Sequence, residues 1–394
     1  MNPLSKSEAL ELLLSRAIPV SGKEEIETEK ALGRILAEDL VSMIDVPAFD
    51  NSAMDGYAIA VHGHQRMIVS QRIAAGEEPV PLEAGTAARI FTGAKIPRGA
   101  DAVVMQEDCA LEEGRVKIGK MPGMGANIRK RGEDVSKGSV FLGKGSKIRP
   151  QELALIASVG LPLVPVYRKL KVALFFTGNE LVMPDKPLES GKIYNSNRYA
   201  LIGLLESLNC QIVDLGIVPD DFDATLSMLD KARSQADLVM SCGGVSVGEE
   251  DHVKAAVEKM GSLSLWKVSV KPGKPFAFGD LSGIPFIGLP GNPVSAFLVF
   301  CFFARPFILR SQNAAKCLPK GFLLKADFVW KGGSRLEWLR AGISQDSKVF
   351  VHPEQGSAIL SSLSWAQGIV EIPPFETVAQ GDEVRFFPFQ ELFS

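Results

Sequence analysis

Leu10, Leu13, Leu14 and Ala17 recur at helical spacing just after Ser5, which stands three residues before Glu8. A capping box followed by an apolar stripe predicts an amphipathic helix that ends before Pro19. A charged stretch at 24–30 leads into Ala31-Leu32-Gly33-Arg34-Ile35-Leu36, which reads as a second short helix. From about 57 to 145 the pattern shifts to short alternating runs broken by glycine and proline. The runs at 67–73, 88–91, 102–105 and 115–118 predict a small β-rich domain. Pro150 opens a short helix over 150–157, and 162–169 reads as a connector.

From Leu170 onward, long apolar strands alternate with amphipathic helices. The strands fall at 171–176, 211–217, 237–241 and 265–270, and the helices at 198–208, 224–236 and 252–260. Such a series predicts a doubly wound α/β domain with a mostly parallel sheet. A very apolar helix over 295–303 belongs to its core. After Leu309, runs at 322–328, 348–351, 368–372 and 382–387 predict a final β domain. At 394 residues the chain is long enough for several domains.

Composition narrows the function classes. Lys and Arg number 43 against 46 Asp and Glu, a formal charge of −3 that offers no global attraction to nucleic acid or anionic lipid. The five cysteines are scattered without CxxC spacing, so reduced thiols are expected rather than a disulfide framework or a zinc site. No secretion signal is visible at the N-terminus. The apolar stretch at 294–309 is broken by Arg305 and Pro306 and is shorter than the roughly 20 residues of a membrane span. A cytoplasmic protein with no membrane segment is expected.

In an open α/β sheet, ligands bind beyond the carboxyl ends of the strands. The loops there are polar and glycine-rich: Thr177-Gly178-Asn179-Glu180, Pro219-Asp220-Asp221, the stretch from Cys242 to Asp251, Lys271-Pro272-Gly273-Lys274, and Gly288 to Pro293. Gly243, Gly244 and Gly248 permit close backbone approach to a phosphate, with Ser246 adding a hydroxyl, although such glycines also serve as plain tight turns. Neither GxGxxG nor a GxxxxGK[ST] phosphate loop is present. Glu180, Asp220 and Asp251 bring three carboxylates to one rim, a donor set suited to Mg²⁺ bridging phosphates. Strand alternation puts Lys267 and Lys271 on one side, where with Lys274 they suit an oxyanion. In the β-rich domain, Asp55 beside Ser52 and Asn51, Thr92-Gly93, and the run from Asn127 to Asp134 are further polar clusters, equally readable as turns.

Together these segments resemble the molybdopterin molybdenumtransferase family, whose eukaryotic counterpart is the E domain of gephyrin-like proteins. The resemblance rests on PAFDNSAMDGYA (47–58), FTGAKIPRGADAVVMQED (91–108), NIRKRGEDV (127–135), FFTGNEL (175–181), SCGGVSVGEEDHVK (241–254), KVSVKPGKPFAFG (267–279) and GLPGNPVSAF (288–297). It implies an elongated linking domain at 20–45 and 145–170 and a β-rich domain at 46–144. It further implies a molybdopterin-binding α/β domain at 1–19 and 171–312, and a C-terminal β-barrel at 313–394. A homodimer is implied too, in which one subunit's β-rich domain faces the other's α/β domain.

Carried over, the family's site uses Asp55, Thr92 and Asp134 on the β side, with Arg129 beside them. On the α/β side it uses Glu180, Asp220, Asp251, Lys267 and Lys271, with Ser361 from the C-terminal domain; Gly243, Gly244, Ser246, Gly248, Lys274, Pro290 and Asn292 complete the substrate-binding set. Asn179 stands where aspartate is frequent and His252 where an aromatic is usual, which puts a metal role for position 179 in doubt. The implied reaction inserts molybdate into adenylylated molybdopterin with release of AMP and with Mg²⁺ on the carboxylates. An upstream molybdopterin adenylyltransferase and downstream molybdoenzyme maturation factors are the implied partners. Two alternatives are adenylylation of molybdopterin itself and a non-catalytic gephyrin-like scaffold.

Overall fold

The computed structural model describes residues 3–245 and 252–393. Lys6–Ser15 is a helix held by the anticipated box: the Ser5 N–H donates to Glu8 Oε2 (2.8 Å), and the Glu8 N–H to Ser5 Oγ (3.3 Å). It buries Ala9 and Leu13, and its Lys6 pairs with Glu371 near the C-terminus.

The central sheet has six strands in the order Gln211–Val218, Lys171–Thr177, Leu238–Cys242, Ile284–Leu289, Pro275–Leu281 and Ser262–Lys267. The first four are parallel and the last two join antiparallel. Alternation sends Val172, Leu174 and Phe176 into one layer with Leu201, Leu204 and Leu205, while Ala173 and Phe175 pack against Leu229, Ala232 and Val257. Helices therefore cover both faces. The expected strand at 265–270 lies earlier, at Ser262–Lys267, and it is antiparallel rather than the last parallel strand.

The apolar helix runs as Pro293–Ser311, through Arg305 and Pro306. A π-helical turn at Phe300–Ala304 precedes the proline, which lacks the N–H that a regular turn would use. By length and composition this helix could cross a bilayer, yet 89% of its most apolar 18-residue stretch is buried in the protein, so core packing explains its apolarity.

The β-rich region is a six-stranded sheet ordered Ala102–Met105, Gly56–Ile59, Thr86–Ile90, Arg66–Ile73, Arg115–Ile118 and Cys109–Glu112. Between it and the α/β unit, Lys23–Glu27 pairs with Leu163–Tyr167 over a small core that includes Leu36, Ile148 and Val166. Two expectations are corrected here. The 162–169 segment is largely strand, not connector. Residues 31–36 are not helical: Gly33 takes φ +75°, and Ile35 and Leu36 form β-bridges to Lys147 and Val166.

The C-terminal strands Phe322–Ala326, Leu336–Ile343, Lys348–Val351, Gly368–Ile372 and Glu383–Pro388 close into a five-stranded barrel, because Leu336–Ile343 pairs with both Lys348–Val351 and Gly368–Ile372.

Candidate active site

The parallel strands open at their carboxyl ends onto a cavity of about 750 Å³. Lys171–Thr177 delivers Glu180 to its wall, Gln211–Val218 delivers Asp220, Leu238–Cys242 delivers Gly243 and Gly244, and Ile284–Leu289 delivers Pro290 and Asn292. Six of the expected residues thus meet in one place. Ser246, Gly248 and Asp251 lie outside the described residues.

The glycine turn is sterically required. Gly243 has φ +95°, and a Cβ there would stand 2.4 Å from the Thr177 carbonyl oxygen. At Gly244, with φ +64°, a Cβ would meet Val253 Cγ2 at 2.5 Å and Thr177 Oγ1 at 2.7 Å. Any side chain would drive this backbone away from the cavity floor. Asn179 and Asp220 clasp each other: the Asn179 N–H donates to Asp220 Oδ2 (2.8 Å) and the Asp220 N–H to Asn179 Oδ1 (3.2 Å). Asn179 therefore braces Asp220 rather than offering its own oxygen.

Sequence reasoning missed Asn195, Ser196 and Asn197 on the same wall. Asn195 Oδ1 accepts from the Arg198 N–H (3.2 Å) and caps the helix Ser196–Ser207, so that helix points its N-terminus at the cavity. Asn197 Nδ2 donates to the Gly291 carbonyl (2.6 Å) and ties the wall to the Pro290–Asn292 turn. The signal was an Asn directly before a helix, which reads as a cap and hides a second role. The Thr177 hydroxyl and the Asn195 amide nitrogen are buried without a hydrogen-bond partner among the described residues. Burial pushes the Cys242 thiol up to about 12, so this wall residue stays a neutral donor, to the Pro290 carbonyl at 3.2 Å.

The lysines and Ser361 do not line this cavity, although their neighbours Pro275 and Ala358 do. Strand alternation does not relate Lys267 to Lys271: the sheet strand ends at Lys267, and Val270–Lys271 pairs instead with Leu336 and Glu337 of the barrel. Lys271 Nζ lies 3.3 Å from Glu337 Oε1. Lys274 is exposed at the Pro272-Gly273 turn, and exposed Ser361 begins the short helix Ser361–Trp365.

On the β side, Asp55 Oδ1 accepts from both the Thr92 N–H and the Thr92 hydroxyl, each at 2.8 Å. The Thr92 amide, then its hydroxyl, hold the Asp55 carboxyl below its ordinary value. Gly56 is obligatory beside it, since a Cβ would fall 1.8 Å from the Val104 carbonyl oxygen. Arg129 pairs with Asn51 across a two-residue ladder, and Asp134 is exposed with its N–H on the Val46 carbonyl (3.0 Å). Asp55, Thr92, Arg129 and Asp134 are absent from the cavity wall of their own chain. Among the described residues no group of three or more His, Cys, Asp or Glu is set to hold a metal.

Comparison with known proteins matches the geometry domain by domain. Residues 4–160 match the MoeA N-terminal region (domain I and II), 173–310 a probable molybdopterin binding domain, and 324–389 the MoeA C-terminal region (domain IV). A molybdopterin molybdenumtransferase of Haemophilus influenzae is 42% identical, covering 94% of each chain. One from Synechococcus elongatus is 37% identical, covering 91% of this chain and 93% of its own. The crystal structure of a molybdopterin biosynthesis moeA protein from Pyrococcus horikoshii OT3 superposes with a TM-score of 0.84 at 30% identity, over 98% of this chain and 100% of its own. With its three regions matched in order and relatives this similar along nearly their whole length, the chain belongs to the molybdopterin molybdenumtransferase family of enzymes.

Proposed function

We propose that this enzyme completes the molybdenum cofactor by inserting molybdate into adenylylated molybdopterin, releasing AMP. One observation carries the reading: a single large cavity at the strand ends combines a sterically required glycine turn, two carboxylates and a helix N-terminus. These features suit an anionic phosphate ester. The backbone of Gly243 and Gly244 and the start of Ser196–Ser207 would face the pyrophosphate. The unpartnered Thr177 hydroxyl and Asn195 amide fit a ligand rich in hydrogen-bonding atoms.

Glu180 and Asp220 fit Mg²⁺, which usually takes one or two carboxylates together with substrate phosphates. With Asp251 they would hold the ion, whose charge would offset that on the phosphate oxygens. Lys267 and Lys271, with Ser361 and Lys274, would receive molybdate. As two Mo–S bonds replace one Mo–O bond, the two thiol protons leave with that oxygen as water. Water then cleaves the pyrophosphate P–O bond, giving AMP and the pterin phosphate.

Asp55 and Asp134 would orient the water or the oxyanion, with Thr92 and Arg129 beside them, from the second subunit of a homodimer. Their absence from the cavity wall of their own chain supports that arrangement. A preceding adenylyltransferase would supply the substrate, and maturation factors of molybdoenzymes would take the product. Five free cysteines suit the reducing cytoplasm.

The adenylyltransferase alternative calls for the α/β unit alone, whereas the relatives that share all three matched regions carry the transferase name. The test is incubation with adenylylated molybdopterin, molybdate and Mg²⁺. AMP release that requires molybdate is expected, and release indifferent to molybdate would reject the proposal.

A further inference from the structure

The segment 267–275 carries three lysines but is fixed largely from outside its own sheet. Val268 bridges Leu4 near the N-terminus, and the Ser269 N–H donates to the Leu4 carbonyl (2.7 Å). The barrel strand Leu336–Ile343 supplies a second set of contacts. The Leu336 N–H donates to the Ser269 carbonyl (3.2 Å), and Arg335 Nη1 donates to the Val270 carbonyl (3.1 Å). At the turn, Gly273 takes φ +108°, where a Cβ would stand 2.4 Å from Val299 Cγ2 of the core helix. The backbone of the segment is thus clamped on three sides.

One group in this clamp touches a lysine side chain. Glu337 is 3% exposed, and its carboxylate accepts from three donors. Oε1 accepts from Lys271 Nζ (3.3 Å) and from the Gly333 N–H (3.1 Å), and Oε2 accepts from Trp330 Nε1 (3.2 Å). A carboxylate this deep is costly to bury unless it is paired and hydrogen-bonded. Trp330 and Gly333 fix its orientation from within the barrel, leaving one face for Lys271. The lysine side chain itself remains half exposed, so its ammonium keeps donors for a second anion.

We propose that Glu337 is a positioning residue for Lys271, and that through it the C-terminal barrel sets the placement of an oxyanion-binding lysine on the α/β domain. The inference rests on the reading of Lys271 as a molybdate ligand. Without Glu337 the four-carbon stem of Lys271 samples many rotamers, and ordering it again weakens anion binding. Turnover of bound substrate does not require Glu337 directly, so the effect falls on the KM for molybdate.

The test combines Glu337→Gln, Lys271→Ala and the double variant in the full-length protein. Gln at 337 removes the charge facing Lys271 and keeps one acceptor oxygen, which can serve the Gly333 N–H or Trp330 Nε1 but not both, so a modest fall in thermal stability is expected and the kinetics are read well below the unfolding transition. Molybdate KM is expected to rise about tenfold in Glu337→Gln with kcat nearly unchanged. Glu337→Asp, which retains the charge on a shorter arm, should recover part of that loss. In the Lys271→Ala background, Glu337→Gln should add no further rise, since the two residues act as one unit. Additive effects would overturn the inference.

A second readout is independent of catalysis: acetylation of Lys271 by an amine-directed reagent, followed by mass spectrometry, should speed up several-fold in Glu337→Gln. Unchanged labelling would refute the positioning role. Faster labelling with an unaltered molybdate KM in Lys271→Ala would instead refute the assignment of Lys271 to molybdate.

Discussion

Arg340→Met tests how the barrel holds the far wall of the cavity. Arg340 is fully buried, and no carboxylate pairs with it among the described residues. Its Nε donates to Ser362 Oγ (3.0 Å), and Nη2 donates to the carbonyls of Glu354 (3.2 Å) and Gly356 (3.0 Å). These bonds tie down the loop that sets Ala358 on the cavity wall and whose Ser357 carbonyl accepts from the Val294 N–H (3.1 Å).

Burial pushes the guanidinium down to about 10, which corresponds to roughly 3 kcal/mol against the charged form. Three hydrogen bonds from a charged donor contribute about 1.5–3 kcal/mol each. The bonds exceed this by about 1–6 kcal/mol, from which Nη1, buried without a partner among the described residues, subtracts about 1–3 kcal/mol, and methionine fills much of the vacated volume. Arg340→Met is therefore expected to destabilise the barrel by about 1–2 kcal/mol.

Trp330, Trp338 and Trp365 all lie in the barrel region, leaving only Trp266 outside it, so denaturant unfolding followed by tryptophan fluorescence reports on this unit. The KM for the adenylylated pterin should rise in parallel as Ala358 loosens. A barrel as stable as the parent, or more so, would show that guanidinium desolvation outweighs the bonds and would refute the reasoning.

Other expectations concern the two halves of the site. Gly243→Ala places a Cβ in the left-handed region and against Thr177, costing about 1–2 kcal/mol for the backbone alone; substrate affinity should collapse by calorimetry, and wild-type affinity would contradict the steric argument. Asp55 has a depressed pKa, so it is ionised above that value and activity should fall as pH drops through it. Thr92→Val removes the hydroxyl but not the larger amide contribution, so the acid limb of the pH–rate profile should move upward only partway; no movement would disconnect Asp55 from that limb. If the site is shared between subunits, inactive Asp55→Ala and Asp220→Ala chains refolded together should regain about a quarter of wild-type activity, because random pairing gives half heterodimers with one intact site each. No recovery would place both residues in one subunit's site.

What was legible in the sequence follows from where periodicity survives folding. The helices and the first three strands of the α/β unit were readable because each has one or two consistently apolar faces, as at Val172 to Phe176, whereas the strands Pro275–Leu281 and Ile284–Leu289 went unread. Lys23–Glu27 was not, since KEEIE has no apolar alternation and pairs with a strand remote in sequence. Leu336–Ile343 escaped for the opposite reason: barrel closure buries nearly all of it, and Glu337 and Arg340 interrupt what would otherwise read as an apolar run.

The site divides in the same way. Glu180, Asp220, Gly243 and Asn292 directly follow strands, so chain order alone locates them. Asn195 and Asn197 reach the cavity only through the docking of their helix, the link from Glu337 to Lys271 arises between domains, and that from Arg340 to the 354–362 loop joins separate segments of the C-terminal domain, so no local pattern announces them.

The most direct measurement is stoichiometric. Purified protein, adenylylated molybdopterin and molybdate would be allowed to react, and AMP released and molybdenum bound to the pterin would be quantified in the same samples. The account predicts equimolar AMP and pterin-bound molybdenum, both abolished in Asp220→Ala. Molybdenum incorporation without AMP, or AMP without molybdenum, would contradict it.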